Sequence, residues 1–132
     1  MLRNAFRVLL VLWAGSLWSL AAWVAPTLFY AQSDRHLAGV LAARLFSIET
    51  YVGVGLAALA LLGPRRAKFA WGYAAVALLS VNEWILKRVM AHAHDQGSAA
   101  GLGFGAWHSV SALLYVLACL AVLRLVWNED FR

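Results

Sequence analysis

Four long apolar stretches constrain this 132-residue chain more than any other feature of it. Crossing a hydrocarbon layer of about 30 Å takes about 20 mostly apolar residues in a helix that rises about 1.5 Å per residue. Val8 to Tyr30, Ala38 to Leu62, Phe69 to Met90 and Phe104 to Trp127 meet or nearly meet that length. Short polar pieces separate them: Ala31 to Leu37, Gly63 to Lys68 and Ala91 to Gly103. Gly63-Pro64 predicts a sharp helix stop, and the Gly, Ser and Ala of the third piece predict a surface loop. Composition agrees, with 64% hydrophobic and 13% charged residues, against about half and about a quarter in a soluble domain. A soluble or disordered chain is excluded, and the lone Cys119 excludes a disulfide scaffold. The expectation is one domain, residues 1–132, an all-α integral membrane antiparallel four-helix bundle.

Charge placement gives the orientation. The formal charge of +5, in so apolar a chain, reads as membrane topology rather than nucleic-acid binding, so the expected partner is the lipid bilayer and not nucleic acid. Arg3, Arg7, Arg65, Arg66, Lys68, Arg124 and Arg132 fall on one side of a four-span arrangement, and Arg35, Lys87 and Arg88 on the other. That asymmetry predicts cytoplasmic termini. Arg3 and Arg7 ahead of an apolar run suit a signal peptide, but the run is longer than a signal core and holds Trp13, Trp18 and Trp23, so it is expected to stay as a membrane helix. Trp71, Tyr73 and Trp127 near one interface, with Tyr30 and Trp107 near the other, are read as anchors. Gly15, Ser19 and Ala22, then Gly39 and Ala43, then Gly53 and Ala57, predict helix faces that pack closely. Pro26 predicts a kink or a break in hydrogen bonding near the end of the first span.

The polar residues inside the spans carry the functional information, because a charge at mid-membrane costs at least about 2.5 to 3.5 kcal/mol. Counted along the helices, Arg44 lies about 9 Å and Glu49 about 16 Å below the outer surface, Glu83 about 9 Å and His108 about 6 Å. Asn82 and Ser111 lie within a turn of that layer. Convergence of Arg44, Glu49, Glu83, His108, Ser111 and Asn82 from three helices predicts a polar, ligand-binding pocket in the outer half of the bundle. Glu49 and His108 are its candidate metal ligands. The structural alternative is that Glu83 pairs with Lys87 four residues on, Lys87 snorkels outward, and Arg44 braces the bundle through Glu49 or a backbone carbonyl. A Glu49 without a cationic partner would be suited to carry a proton. His92, His94 and Asp95 are read as a solvated loop, since two residues do not stack on one helix face, and Cys119 as a small buried hydrophobe. No phosphate-cradling loop, zinc helix or nucleophile elbow is present.

Trp13-Ala14-Gly15-Ser16, Ala25-Pro26-Thr27-Leu28-Phe29, Ala38-Gly39, Arg44-Leu45-Phe46-Ser47-Ile48-Glu49-Thr50-Tyr51 and Trp107-His108-Ser109-Val110-Ser111 resemble the small bacterial membrane proteins related to transmembrane protein 205. The likeness covers roughly Trp13 to Leu62 and Trp107 to Arg124, and Ser109 stands where that pattern has glycine. It implies a four-helix protein of the bacterial inner membrane whose biochemical role is poorly defined, with metal or drug handling worth testing.

Three functions follow as expectations. The first is a non-enzymatic protein that binds or moves a small polar or cationic solute, such as a metal ion, through the outer-half layer. Four helices make a narrow bundle, so a path through it implies a homo-oligomer. The second is a structural or accessory subunit of a larger membrane complex. The third is a haem-bearing membrane oxidoreductase with His108 as axial ligand. The sequence names no cofactor.

Overall fold

The computed structural model describes residues 1–64 and 66–128. Four helices long and apolar enough to cross a membrane run through it: α1 (Leu2–Ala31), α2 (Arg35–Leu62), α3 (Arg66–Gln96) and α4 (Phe104–Trp127). They form an all-α bundle in which each helix packs antiparallel to its chain neighbours and α4 returns against α1.

The helices overrun the predicted spans. α1 begins at Leu2, because nothing in Arg3 to Arg7 opposes helix once it projects beyond lipid. α3 continues to Gln96, so His92, His94 and Asp95 lie exposed on its last turns and not in a loop. Its stop is Gly97, at φ +81°, where the left-handed conformation favours glycine. The start of α2 is set by Asp34, whose carboxylate accepts from the His36 and Leu37 N–H groups at 3.0 and 3.2 Å. α2 ends at Leu62, ahead of Gly63-Pro64 as expected.

Two π-helical turns interrupt the ladders. In α1 the turn spans Leu20–Val24, and the Ala25 N–H reaches back to the Leu20 carbonyl. Pro26, one residue on, has no N–H, and its ring displaces the carbonyl four residues earlier, so the predicted disturbance takes the form of a wide turn. In α3 the turn spans Asn82–Leu86, with the Lys87 N–H on the Asn82 carbonyl. No proline causes it; it coincides with the polar residues of that helix.

The core is built from small side chains around a few large ones. Trp13 and Leu17 of α1 meet Ala57 and Ala60 of α2, Ala75 and Leu79 of α3, and Tyr115, Ala118, Cys119 and Val122 of α4. In lipid, where burial from water no longer selects a partner, such residues bring backbones close enough for dispersion to hold the helices. Gly53 shows the fit: a Cβ there would stand 2.6 Å from the Trp13 ring. Gly15 is different, being exposed with open space before it, so of the expected small-residue faces the Gly53–Ala57 one is internal and Gly15 is not. Three side-chain donors tie α1 to its neighbours through carbonyls. The Trp13 indole donates to Glu49 at 3.2 Å, the Trp18 indole to Cys119 at 3.1 Å, and the Tyr115 hydroxyl to Leu17 at 3.0 Å. Cys119 is buried, as a small hydrophobe should be.

Candidate functional site

The six predicted site residues do not form one pocket. They separate into two satisfied clasps, one carboxyl with an unpartnered oxygen and two outward-facing side chains.

The first clasp joins α2 to α3. The Lys87 ammonium lies 2.6 Å from a Glu83 carboxylate oxygen. It also donates to the Ser47 hydroxyl at 2.6 Å and to the Ala43 carbonyl at 3.4 Å. Ser47 in turn stands 2.8 and 3.0 Å from the two Glu83 oxygens and 2.9 Å from the Ala43 carbonyl, so its single proton is shared between them. Glu83 thus meets its cation one turn along its own helix, the favourable order for such a pair. Ser47 completes the group, and sequence reasoning passed over it. Its signal was its place in the span, where a hydroxyl must either bond its own helix or cross to a neighbour.

That clasp also fixes depth. Ser47 is opposite Glu83, and Ala43 opposite Lys87, so Arg44 stands a turn further out than Glu83 and not level with it. Arg44 is exposed and, among the described residues, has no hydrogen bond or ion pair. The second clasp joins α3 to α4: the Ser111 hydroxyl donates to the Asn82 side-chain carbonyl at 2.5 Å, and the Asn82 amide donates to the Ser111 backbone carbonyl at 3.2 Å.

Glu49 faces the other way, toward α1 and α4. Ser16 lies beside its carboxyl, and Tyr115 and Cys119 are within electrostatic reach. Its Oε2 is buried and has no hydrogen-bond partner. Apart from the Tyr73 hydroxyl, it is the only buried side-chain N or O among the described residues without one. Arg44 does not supply a cation, because five residues at about 100° each turn it well away from Glu49.

His108 also lies outside the predicted pocket. It is exposed at the start of α4 with its ring stacked on Phe104, centroids 6.0 Å apart, while His94 meets the edge of the same ring at 5.7 Å. It stands seven residues, or about 10 Å, from the level of Tyr115. His108 and Glu49 therefore do not share a metal site, and among the described residues no three His, Cys, Asp or Glu side chains group to hold one. An exposed His108 is likewise poorly placed to bind haem within the bundle.

A family model described as a domain of unknown function, DUF4149, matches residues 8–129. The chain belongs to the DUF4149 family. The match covers residues of all four helices and every residue of the two clasps. No curated protein and no solved structure matches this DUF4149 chain.

Proposed function

We propose that this is a non-enzymatic integral membrane protein whose working group is Glu49, which takes up and releases a proton inside the bundle. The observation that carries this reading is the buried Glu49 Oε2 without a partner, in a bundle whose other span carboxylate is held by Lys87 and Ser47. An ionisable group at that depth that packing does not account for is a functional candidate. The occupant follows from the donor count. A calcium ion takes about six to eight oxygen ligands, whereas the side-chain oxygen beside the carboxyl here is the Ser16 hydroxyl. A proton needs one acceptor. The small cationic solute of a binding or transport role is then the proton itself.

A hydrophobic carbodiimide tests this, since it dissolves in the bilayer and its reaction with a carboxyl group begins by accepting that group's proton. Incubation of the protein in lipid nanodiscs, followed by intact-mass and peptide mapping, should give a single adduct on Glu49 that Glu49→Gln removes. Labelling of Glu83 alone, or none, would overturn the reading.

A second reading, the accessory subunit, draws support from Gly15, Gly39, Gly55 and Gly105, each with open space where a neighbouring helix could approach. Co-migration with a second membrane protein on native gels, lost on Gly55→Leu, would support it. The likeness to transmembrane protein 205 relatives, the bacterial inner membrane as location and cytoplasmic termini belong to the same proposal. They rest on the motifs and on the basic-residue asymmetry.

A further inference from the structure

The outer side of the seam between α2 and α3 carries two arginines whose placement the clasp beneath them fixes. Ala43 and Lys87 face each other across the seam. Arg44 and Arg88 each follow by one residue, a rotation of about 100°, and in an antiparallel pair those rotations bring both side chains to the same side of the seam. The Tyr51–Trp84 contact, ring centroids 6.0 Å apart and edge-on, marks that side as the outward one. Arg44, Tyr51, Trp84 and Arg88 are all exposed. Neither arginine has a hydrogen bond or ion pair among the described residues.

We propose that Arg44 and Arg88 bind the phosphate of an anionic phospholipid, with the Tyr51–Trp84 pair as the platform for its acyl chain. Charge and depth both select that ligand. Glu83 is committed to Lys87, and the Lys87 protons are taken up by Glu83, Ser47 and Ala43. Lys87 therefore adds field, and the two guanidinium groups are left to make the contacts. Arg88 lies nineteen residues from Phe69, about 28 Å along a core of about 30 Å, so it stands at the headgroup boundary. Arg44 is at a similar level, within reach of the boundary by its long stem. Guanidinium suits this task, since its planar fork matches two phosphate oxygens. Tyr51 and Trp84 sit about 10 Å and about 6 Å further in along their helices, alongside the acyl chain below its glycerol ester.

The test is native mass spectrometry of the whole protein released from nanodiscs of phosphatidylglycerol and phosphatidylcholine. The wild type should retain phosphatidylglycerol in preference to phosphatidylcholine. Arg44→Gln with Arg88→Gln should lower that retention at least tenfold while circular dichroism stays unchanged, since both side chains are exposed. Arg44→Lys with Arg88→Lys should recover part of it, and Arg3→Gln, at the opposite end of the bundle, should leave it unaltered. Equal retention in the double Gln variant, or an equal loss in Arg3→Gln, would overturn the site. Displacement of the lipid by millimolar inorganic phosphate would overturn its assignment to a lipid.

Discussion

Replacing Glu83 by Gln keeps the shape of the α2–α3 clasp and removes its negative charge, which leaves the Lys87 ammonium beside a neutral amide within the membrane. The pair is intermediate in burial, at 12% exposure for Glu83 and 34% for Lys87. Exposed ion pairs are worth about 0.2 to 1 kcal/mol, and breaking a buried one costs about 3 to 5 kcal/mol. Lys87 retains Ser47 and the Ala43 carbonyl as acceptors and can turn toward the interface, which holds the cost below the buried limit. About 2 kcal/mol results, or roughly thirtyfold in the unfolding equilibrium at about 1.4 kcal/mol per tenfold. Lys87→Met should cost a similar amount, and the two together much less than their sum, because no uncompensated charge remains. A double-mutant cycle in mixed micelles, followed by tryptophan fluorescence, should return a coupling of about 1 to 2 kcal/mol. A coupling under about 0.5 kcal/mol would refute the reasoning that this group braces α2 against α3.

Three further outcomes follow from the packing. Gly53→Ala should destabilise the bundle by about 1 to 3 kcal/mol by forcing the buried Trp13 ring aside, whereas Gly55→Ala, with open space before it, should stabilise by up to about 1 kcal/mol; the same unfolding assay reads both signs. Ala100 stands at φ +50° beside Gly101 at +79° in the turn closed by the mutual Ala99–Leu102 hydrogen bonds, so Ala100→Gly should raise the melting midpoint, with a gain of up to about 1 kcal/mol. Ser111→Ala and Asn82→Leu should each weaken the α3–α4 clasp by about 1 kcal/mol, and their combination should cost less than the sum.

The four spans were legible because lipid thickness imposes a length and a hydropathy that packing cannot mask. The loop boundaries were less so: His92 and His94 read as loop residues, yet Ala91, Ala93 and Gln96 favour helix as far as Gly97. Counting along each helix put Arg44 level with Glu83, whereas the clasp sets Ser47 opposite Glu83 and Arg44 a turn further along. Facing was the harder quantity. Arg44, Glu49 and His108 looked convergent only while depth was the sole coordinate. In the bundle the rotation of about 100° per residue sends Arg44 outward and Glu49 inward. The π turn at Asn82–Leu86 adds a phase shift that no plain helical count contains. Ser47, the residue that links Glu83 and Lys87 to α2, was hidden by its ordinariness, since a hydroxyl in a span can always bond its own helix, as Ser47 also does.

Infrared difference spectroscopy of the protein in lipid addresses Glu49 most directly. If its unpartnered oxygen holds a proton, the wild type will show the carbonyl stretch of a carboxylic acid, displaced on exchange into deuterium oxide and missing from Glu49→Gln. A spectrum without that band, or one in which Glu49→Gln leaves it in place, would contradict the account.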